Sequence, residues 1–127
     1  MLQQNNDSSI DITFFAACRR NNLQQLKYCL HSNVNVNAID NHGVSGIHYV
    51  VQRGYYEHLD ALLEHPRIDV NSTSAKGYTA LMWACRFGEE GMVNLLISHG
   101  GVDLNARDHV GWTAARHAVA KGRIQKK

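Results

Sequence analysis

Apolar residues fall in short bursts at helical spacing, separated by polar stretches rich in Gly, Asn and Asp. Leu59, Leu62 and Leu63 form one burst, and Val93, Leu95, Leu96 and Ile97 another. Such spacing predicts amphipathic helices. Each burst runs on into strict alternation, Ile68-Asp69-Val70-Asn71 and Val102-Asp103-Leu104-Asn105, which predicts an extended hairpin arm. Turn chemistry comes next. In the D-x-x-G openings at Asp40 and Asp108, the aspartate can bond its own backbone and the glycine tolerates positive φ. Two positions beyond that glycine stands a hydroxyl residue (Ser45, Thr79, Thr113) able to cap a helix. A further apolar-rich helix then runs to a second glycine, a natural helix stop.

These landmarks recur. Gly43, Gly77 and Gly111 are spaced by 34, as are Gly54, Gly88 and Gly122, and Asn37, Asn71 and Asn105. Ala17-Cys18-Arg19 returns as Ala84-Cys85-Arg86, 67 residues later, so a degenerate unit precedes the clear ones. Each unit reads as hairpin, helix, helix. Neither helix has an apolar face wide enough to fold alone, and stacking of neighbours closes the core. The expected organisation is a flexible N-terminal segment 1–9, a capping repeat 10–39, repeats 40–73 and 74–107, and a partial repeat 108–127.

The units align as Ser45-Gly46-Ile47-His48-Tyr49-Val50, Thr79-Ala80-Leu81-Met82-Trp83-Ala84 and Thr113-Ala114-Ala115-Arg116-His117-Ala118. With the glycines and the D-V-N ending in phase, residues 9–122 resemble ankyrin repeats and their T-P-L-H-x-A motif. The resemblance implies an all-α solenoid of stacked helix-turn-helix units with β-hairpin loops. It also implies that His48 bonds neighbouring backbone and holds repeats together. There are departures. No unit keeps the motif proline, only His48 keeps its histidine, and the sole proline, Pro66, follows a second helix instead. The three asparagines are expected to bond hairpin backbone. In the family such asparagines can be hydroxylated, and Leu63 stands eight residues before Asn71, a spacing seen in those substrates; the structural role is the favoured one.

Composition narrows the function. The chain has 127 residues, 44% hydrophobic and 19% charged, which suits one domain and excludes a disordered tail or a fibre. No apolar run approaches the roughly 18–20 residues of a membrane span, and the first residues lack the basic and apolar stretches of a secretory signal. Three cysteines, Cys18, Cys29 and Cys85, make neither a disulfide framework nor a zinc pattern. An intracellular setting, cytoplasmic or nuclear, is expected, and the sequons at Asn6 and Asn71 read as chance matches. The eight histidines include no H-x-x-x-H pair, so no metal is expected. His31, His65 and His99 stand near the ends of second helices, where a partly cationic ring suits the dipole. Cys18 and Cys85 read as small core residues. No P-loop, G-x-G-x-x-G, H-E-x-x-H or G-x-S-x-G is present, so neither an enzyme nor a cofactor is expected.

The resemblance implies that partners dock on a concave face made by the hairpin tips and the exposed side of the first helices. The helix positions supply Arg19, Arg20, Arg53, Arg86, Phe87 and Lys121. The tips supply His42, Val44, Lys76, Tyr78, Arg107, His109 and Trp112. Net charge is only +2, yet these positions hold seven of the 13 basic residues and none of the 11 acids. The remainder carries a balance of −5, with Glu57, Asp60, Glu64, Glu89 and Glu90 on the second helices. The chain therefore reads as two-faced, an interaction module for an acidic protein or peptide. Nucleic acid or another polyanion is the runner-up, disfavoured by the modest charge and the absence of a nucleic-acid motif. A bacterial effector acting in a host cell is a further reading. Only five residues follow Gly122, too few for a second helix, so the edge of the last repeat is expected to be half covered and open to self-association.

Overall fold

The computed structural model describes residues 2–125 of the chain, and side chains over 10–122. Met1, Lys126 and Lys127 lie outside it, as do the side chains of the segment 1–9, including Asn6. Seven helices follow one another among the described residues: α1 Leu2–Arg19, α2 Leu23–Leu30, α3 Gly46–Arg53, α4 Tyr56–Leu63, α5 Ala80–Phe87, α6 Glu90–His99 and α7 Ala114–Gln125. The backbone is thus already helical within the stretch 2–9.

Helices α1, α3, α5 and α7 stack side by side in one layer, and α2, α4 and α6 form a second layer across them. Between the layers lies one core, with Phe14, Leu26, Ile47, Leu59, Leu62, Met82 and Leu96 fully enclosed. Each helix buries its apolar stripe against its neighbours in the stack, α3 and α5 on both sides and α7 chiefly on α5, which is why periodicity identifies the architecture.

The second-glycine rule holds twice and fails once. Gly54 and Gly88 end α3 and α5 in the left-handed region, at φ of 74° and 72°. Backbone bonds from Tyr55 N–H to the Val50 carbonyl and from Glu89 N–H to the Ala84 carbonyl close each end and turn the chain into the second layer. Gly122, expected to stop the last helix, lies inside α7. A reversal of this kind is held by the helix that folds back after it. Among the described residues α7 packs chiefly on α5, and its helical ladder continues through the glycine.

The expected hairpin arms are not strands. Over 68–71 and 102–105 the backbone forms turns, and the described residues hold one isolated bridge, Ile39 to Ser45. Each loop tip is closed instead by two backbone bonds: Asp40 N–H to Val44, Ser74 N–H to Tyr78 and Asp108 N–H to Trp112, with Gly43, Gly77 and Gly111 N–H donating back to the Asp40, Ser74 and Asp108 carbonyls, all at 2.9–3.0 Å. Side chains replace the missing ladder. Asn37 accepts from Asp69 N–H at 2.8 Å and donates to the Arg67 carbonyl at 2.7 Å. One repeat on, Asn71 accepts from Asp103 N–H and donates to the Gly101 carbonyl, both at 2.8 Å. Each asparagine therefore satisfies the next repeat's loop rather than its own, and the side chain expected to support a hairpin ties repeat to repeat.

Tight loop stacking sets two glycines. A Cβ at Gly43 would stand 2.8 Å from that of Ala75, and one at Gly77 would stand 2.5 Å from the His109 ring, with both backbones at positive φ. A third close approach explains a departure from the motif. At Gly46, where the motif has proline, any Cβ would meet the Phe14 ring at 2.7 Å and Cys18 Sγ at 2.9 Å. The bulky α1 residue occupies the proline's place. Gly46→Ala is expected to cost about 1–3 kcal/mol through overpacking, despite the better helix propensity of alanine. Urea unfolding of the variant checks this, and an unchanged midpoint would show that α1 yields.

Candidate protein-binding face

Helix starts fix the inter-repeat contacts. The hydroxyls of Thr79 and Thr113 accept the backbone N–H groups of Met82 and Arg116, as helix caps do. Ser45 does not cap. Its hydroxyl lies 2.6 Å from His48 Nδ1. His48 Nε2 lies 2.7 Å from the Tyr78 carbonyl, which can only accept, so Nε2 carries the proton and Nδ1 accepts from Ser45. His48 thus joins the residue that opens its own helix to the loop of the next repeat while fully buried. Burial pushes its pKa down and the bond to Tyr78 offsets this only in part, so the ring stays neutral.

Acids hold the loops from inside. Asp40 accepts from His42 N–H and Val44 N–H, and from the Tyr49 hydroxyl nine residues on. Asp108 repeats the pattern with Val110 N–H, Trp112 N–H and His117, the last at 2.9 Å. Burial alone would raise both carboxyls. The donated hydrogen bonds outweigh it and hold both below the usual carboxylate range. These acids are taken up by their own loops, and neither lies within ion-pair distance of an arginine among the described residues.

Rings line the same side of the stack. Phe15 meets Tyr49 edge-on, Trp83 meets His48, Tyr78 and Phe87, and His117 meets Tyr78 and Trp112, with centroids 5.1–6.4 Å apart. Guanidinium groups lie over three of these rings: Arg19 over Tyr49 at 5.4 Å, Arg86 over Tyr78 at 5.5 Å and Arg116 over Trp112 at 4.6 Å. Such stacking contributes about 0.5–1 kcal/mol where exposed. Arg86 also donates one N–H to the Tyr78 hydroxyl and Arg19 bonds the Tyr49 side chain, so a partner would meet the remaining N–H groups. Among the described residues the one ion pair is His117 with Asp108; no arginine or lysine there is paired with a carboxylate.

The expected binding residues fall into two groups. Arg20, Arg53, His42, Lys76, Arg86 and His109 are exposed, and Phe87 shows 39% of its surface. Arg19, Tyr78, Trp112 and Lys121 are half-buried, so each offers an edge. Two are engaged within the protein, although Arg107 is exposed. Val44 packs against the core, and Arg107 is turned back onto the Gly111 carbonyl of its own loop at 2.9 Å. The structure adds Arg116 and Trp83. Arg116 holds the motif's histidine position, buried as His48 and Met82 in the earlier repeats but exposed here. Trp83 is marked in the sequence only as the ninth residue after a loop opening. The remaining histidines act locally: His31 Nδ1 bonds the Lys27 carbonyl at the end of α2, and His65 accepts from Arg67 N–H. Burial pushes the thiols of Cys18, Cys29 and Cys85 above the ordinary value, which keeps them protonated.

No helix among the described residues is long and apolar enough to cross a membrane. Comparison with curated proteins finds no match. Comparison with protein families matches residues 47–126 to ankyrin repeats (3 copies) and residues 14–63 to ankyrin repeats (many copies). Ankyrin repeats are in general protein–protein interaction modules. Matched over most of its length, and built of paired helices joined by stacked loops, the chain belongs to the ankyrin-repeat family.

Proposed function

We propose that this protein is a non-enzymatic interaction module that binds an acidic segment of a partner protein through its first-helix and loop face. The observation that carries this reading is the set of arginines stacked on rings with no carboxylate partner among the described residues. A guanidinium held over an aromatic ring has already given up part of its hydration and much of its rotamer freedom. A partner carboxylate then meets a preorganised donor fork. Phe87 and Trp112 supply apolar anchor surface beside these charges, and arginine with aromatic residues is the composition of binding hot spots. The exposed Arg20, Arg53 and Lys76 extend the positive field and speed encounter.

Calorimetry with a panel of acidic peptides, each beside a version with Glu and Asp replaced by Gln and Asn, tests the reading. Binding is expected only for acidic members and to weaken with salt. Equal affinity for the amide versions would overturn it.

A further inference from the structure

The middle loop lacks what its two sisters share. Asp40 and Asp108 each gather two backbone N–H groups, two and four residues on, and one side-chain donor nine residues on. At the same place the third unit has Ser74, nearly buried at 8% exposure. Its side chain accepts none of these bonds. No acceptor meets the backbone N–H of Lys76 or of Tyr78 among the described residues, although the loop is closed by the same cross-loop bond as its sisters. The ninth residue on is Trp83, and its indole N–H is buried without a partner. Of the three buried side-chain polar atoms without a partner among the described residues, a second, Ser72 Oγ, belongs to this loop as well. Leaving a buried donor unmet is costly, and the Trp83 indole is unmet at the position from which the neighbouring repeats donate to a carboxylate.

We infer that the loop around Ser74 is a socket for one carboxylate side chain, an Asp or Glu of the acidic partner, held by the Lys76 and Tyr78 backbone N–H groups and the Ser74 hydroxyl. The inference deepens the reading above and rests on it for the source of the acid. The sister loops fix the size of the group: a single planar carboxylate there serves the two equivalent backbone N–H groups and one side-chain donor. Charge favours its arrival, since Lys76 is exposed on the loop itself and Arg86 lies over the Tyr78 ring, donating to its hydroxyl at 3.3 Å. The Trp83 indole N–H is enclosed by protein, so its engagement requires the ring to shift, which makes that N–H the reporter of occupancy.

The test is nitrogen-15 NMR of the full chain, titrated with sodium acetate against sodium chloride at equal ionic strength, and then with oligoglutamate. Acetate, but not chloride, is expected to move the Lys76 and Tyr78 amides and the Trp83 indole downfield. Ser74→Asp is expected to place all three at the shifted position without ligand, to raise Tm by about 3–5 °C, and to weaken oligoglutamate binding at least tenfold. Ala75→Asp, with the same charge added at the exposed neighbour, is expected to weaken it no more than about threefold. Acetate leaving the three resonances unmoved, or the two aspartate variants weakening the peptide equally, would overturn the socket. If acetate moves them while Arg86→Glu leaves oligoglutamate affinity unchanged, the socket stands and the arginine-face reading falls. If oligoglutamate perturbs the arginines alone, the reverse holds.

Discussion

His48→Ala is expected to lower unfolding stability by about 3 kcal/mol, a large part of the 5–15 kcal/mol typical of a domain. The imidazole is fully enclosed, joins the Ser45 hydroxyl to the Tyr78 carbonyl and packs edge-on against Trp83. Truncation opens a cavity and strands the carbonyl of the neighbouring repeat. Because the interaction crosses repeats 40–73 and 74–107, its removal should also loosen the coupling between them. Urea unfolding followed by circular dichroism and by Trp83 fluorescence, read in a Trp112→Phe background because the chain has two tryptophans, checks both effects: the two curves should separate in the variant.

The same residue gives the protein an acid limit. His48 and His58 have pKa values pushed down, chiefly by burial. Above the unfolded histidine value, near 6.5, both states are neutral and stability is unaffected. As pH falls below it, the unfolded chain takes up protons that the folded chain resists, so stability drops. The lowered carboxyls of Asp40 and Asp108 act in the same direction at lower pH, where the unfolded chain again binds more protons. Urea midpoints should therefore fall between about pH 7.5 and 5.5, and His48→Gln should flatten part of that slope.

Arg53→Glu combined with Arg86→Glu is expected to weaken an acidic peptide by about 100-fold, roughly 3 kcal/mol. Both side chains are exposed and neither has a carboxylate partner among the described residues. Reversal therefore removes two attractions and adds two repulsions without breaking an internal ion pair. The fold should tolerate it, since the interactions removed within the protein are the stacking of Arg86 on the Tyr78 ring and its bond to that hydroxyl. The association rate should fall more than in Arg53→Gln/Arg86→Gln, because steering depends on the sign of the field.

The architecture was legible because stacking repeats turn one physical problem into a period. The step of 34 in Gly43, Gly77 and Gly111 reflects loops that approach one another closely at the first two of these glycines, and Gly54 and Gly88 reflect left-handed helix ends. What escaped the sequence depends on neighbours. The alternation at 68–71 and 102–105 reads as strand, yet Asn37 and Asn71 bond each following loop and leave no ladder to form. Gly122 reads as a stop, but only a helix folding back would make it one. Arg116 occupies a motif position that neighbours bury in earlier repeats, so its exposure follows from its place in the stack. The difference at Ser74 was visible as a Ser where two sisters have Asp; its meaning required the unpartnered Trp83 indole.

In the proposed binding mode the cationic, ring-bearing face receives the partner while the acidic second helices face away. NMR of the arginine side chains together with the backbone amides, with an acidic peptide added to saturation, distinguishes the two sides, since α2, α4 and α6 carry no arginine. Shifts are expected at the Arg19, Arg53 and Arg86 guanidinium groups, with none along α2, α4 and α6. Shifts confined to those second-layer helices, with the three arginines silent, would contradict the proposal.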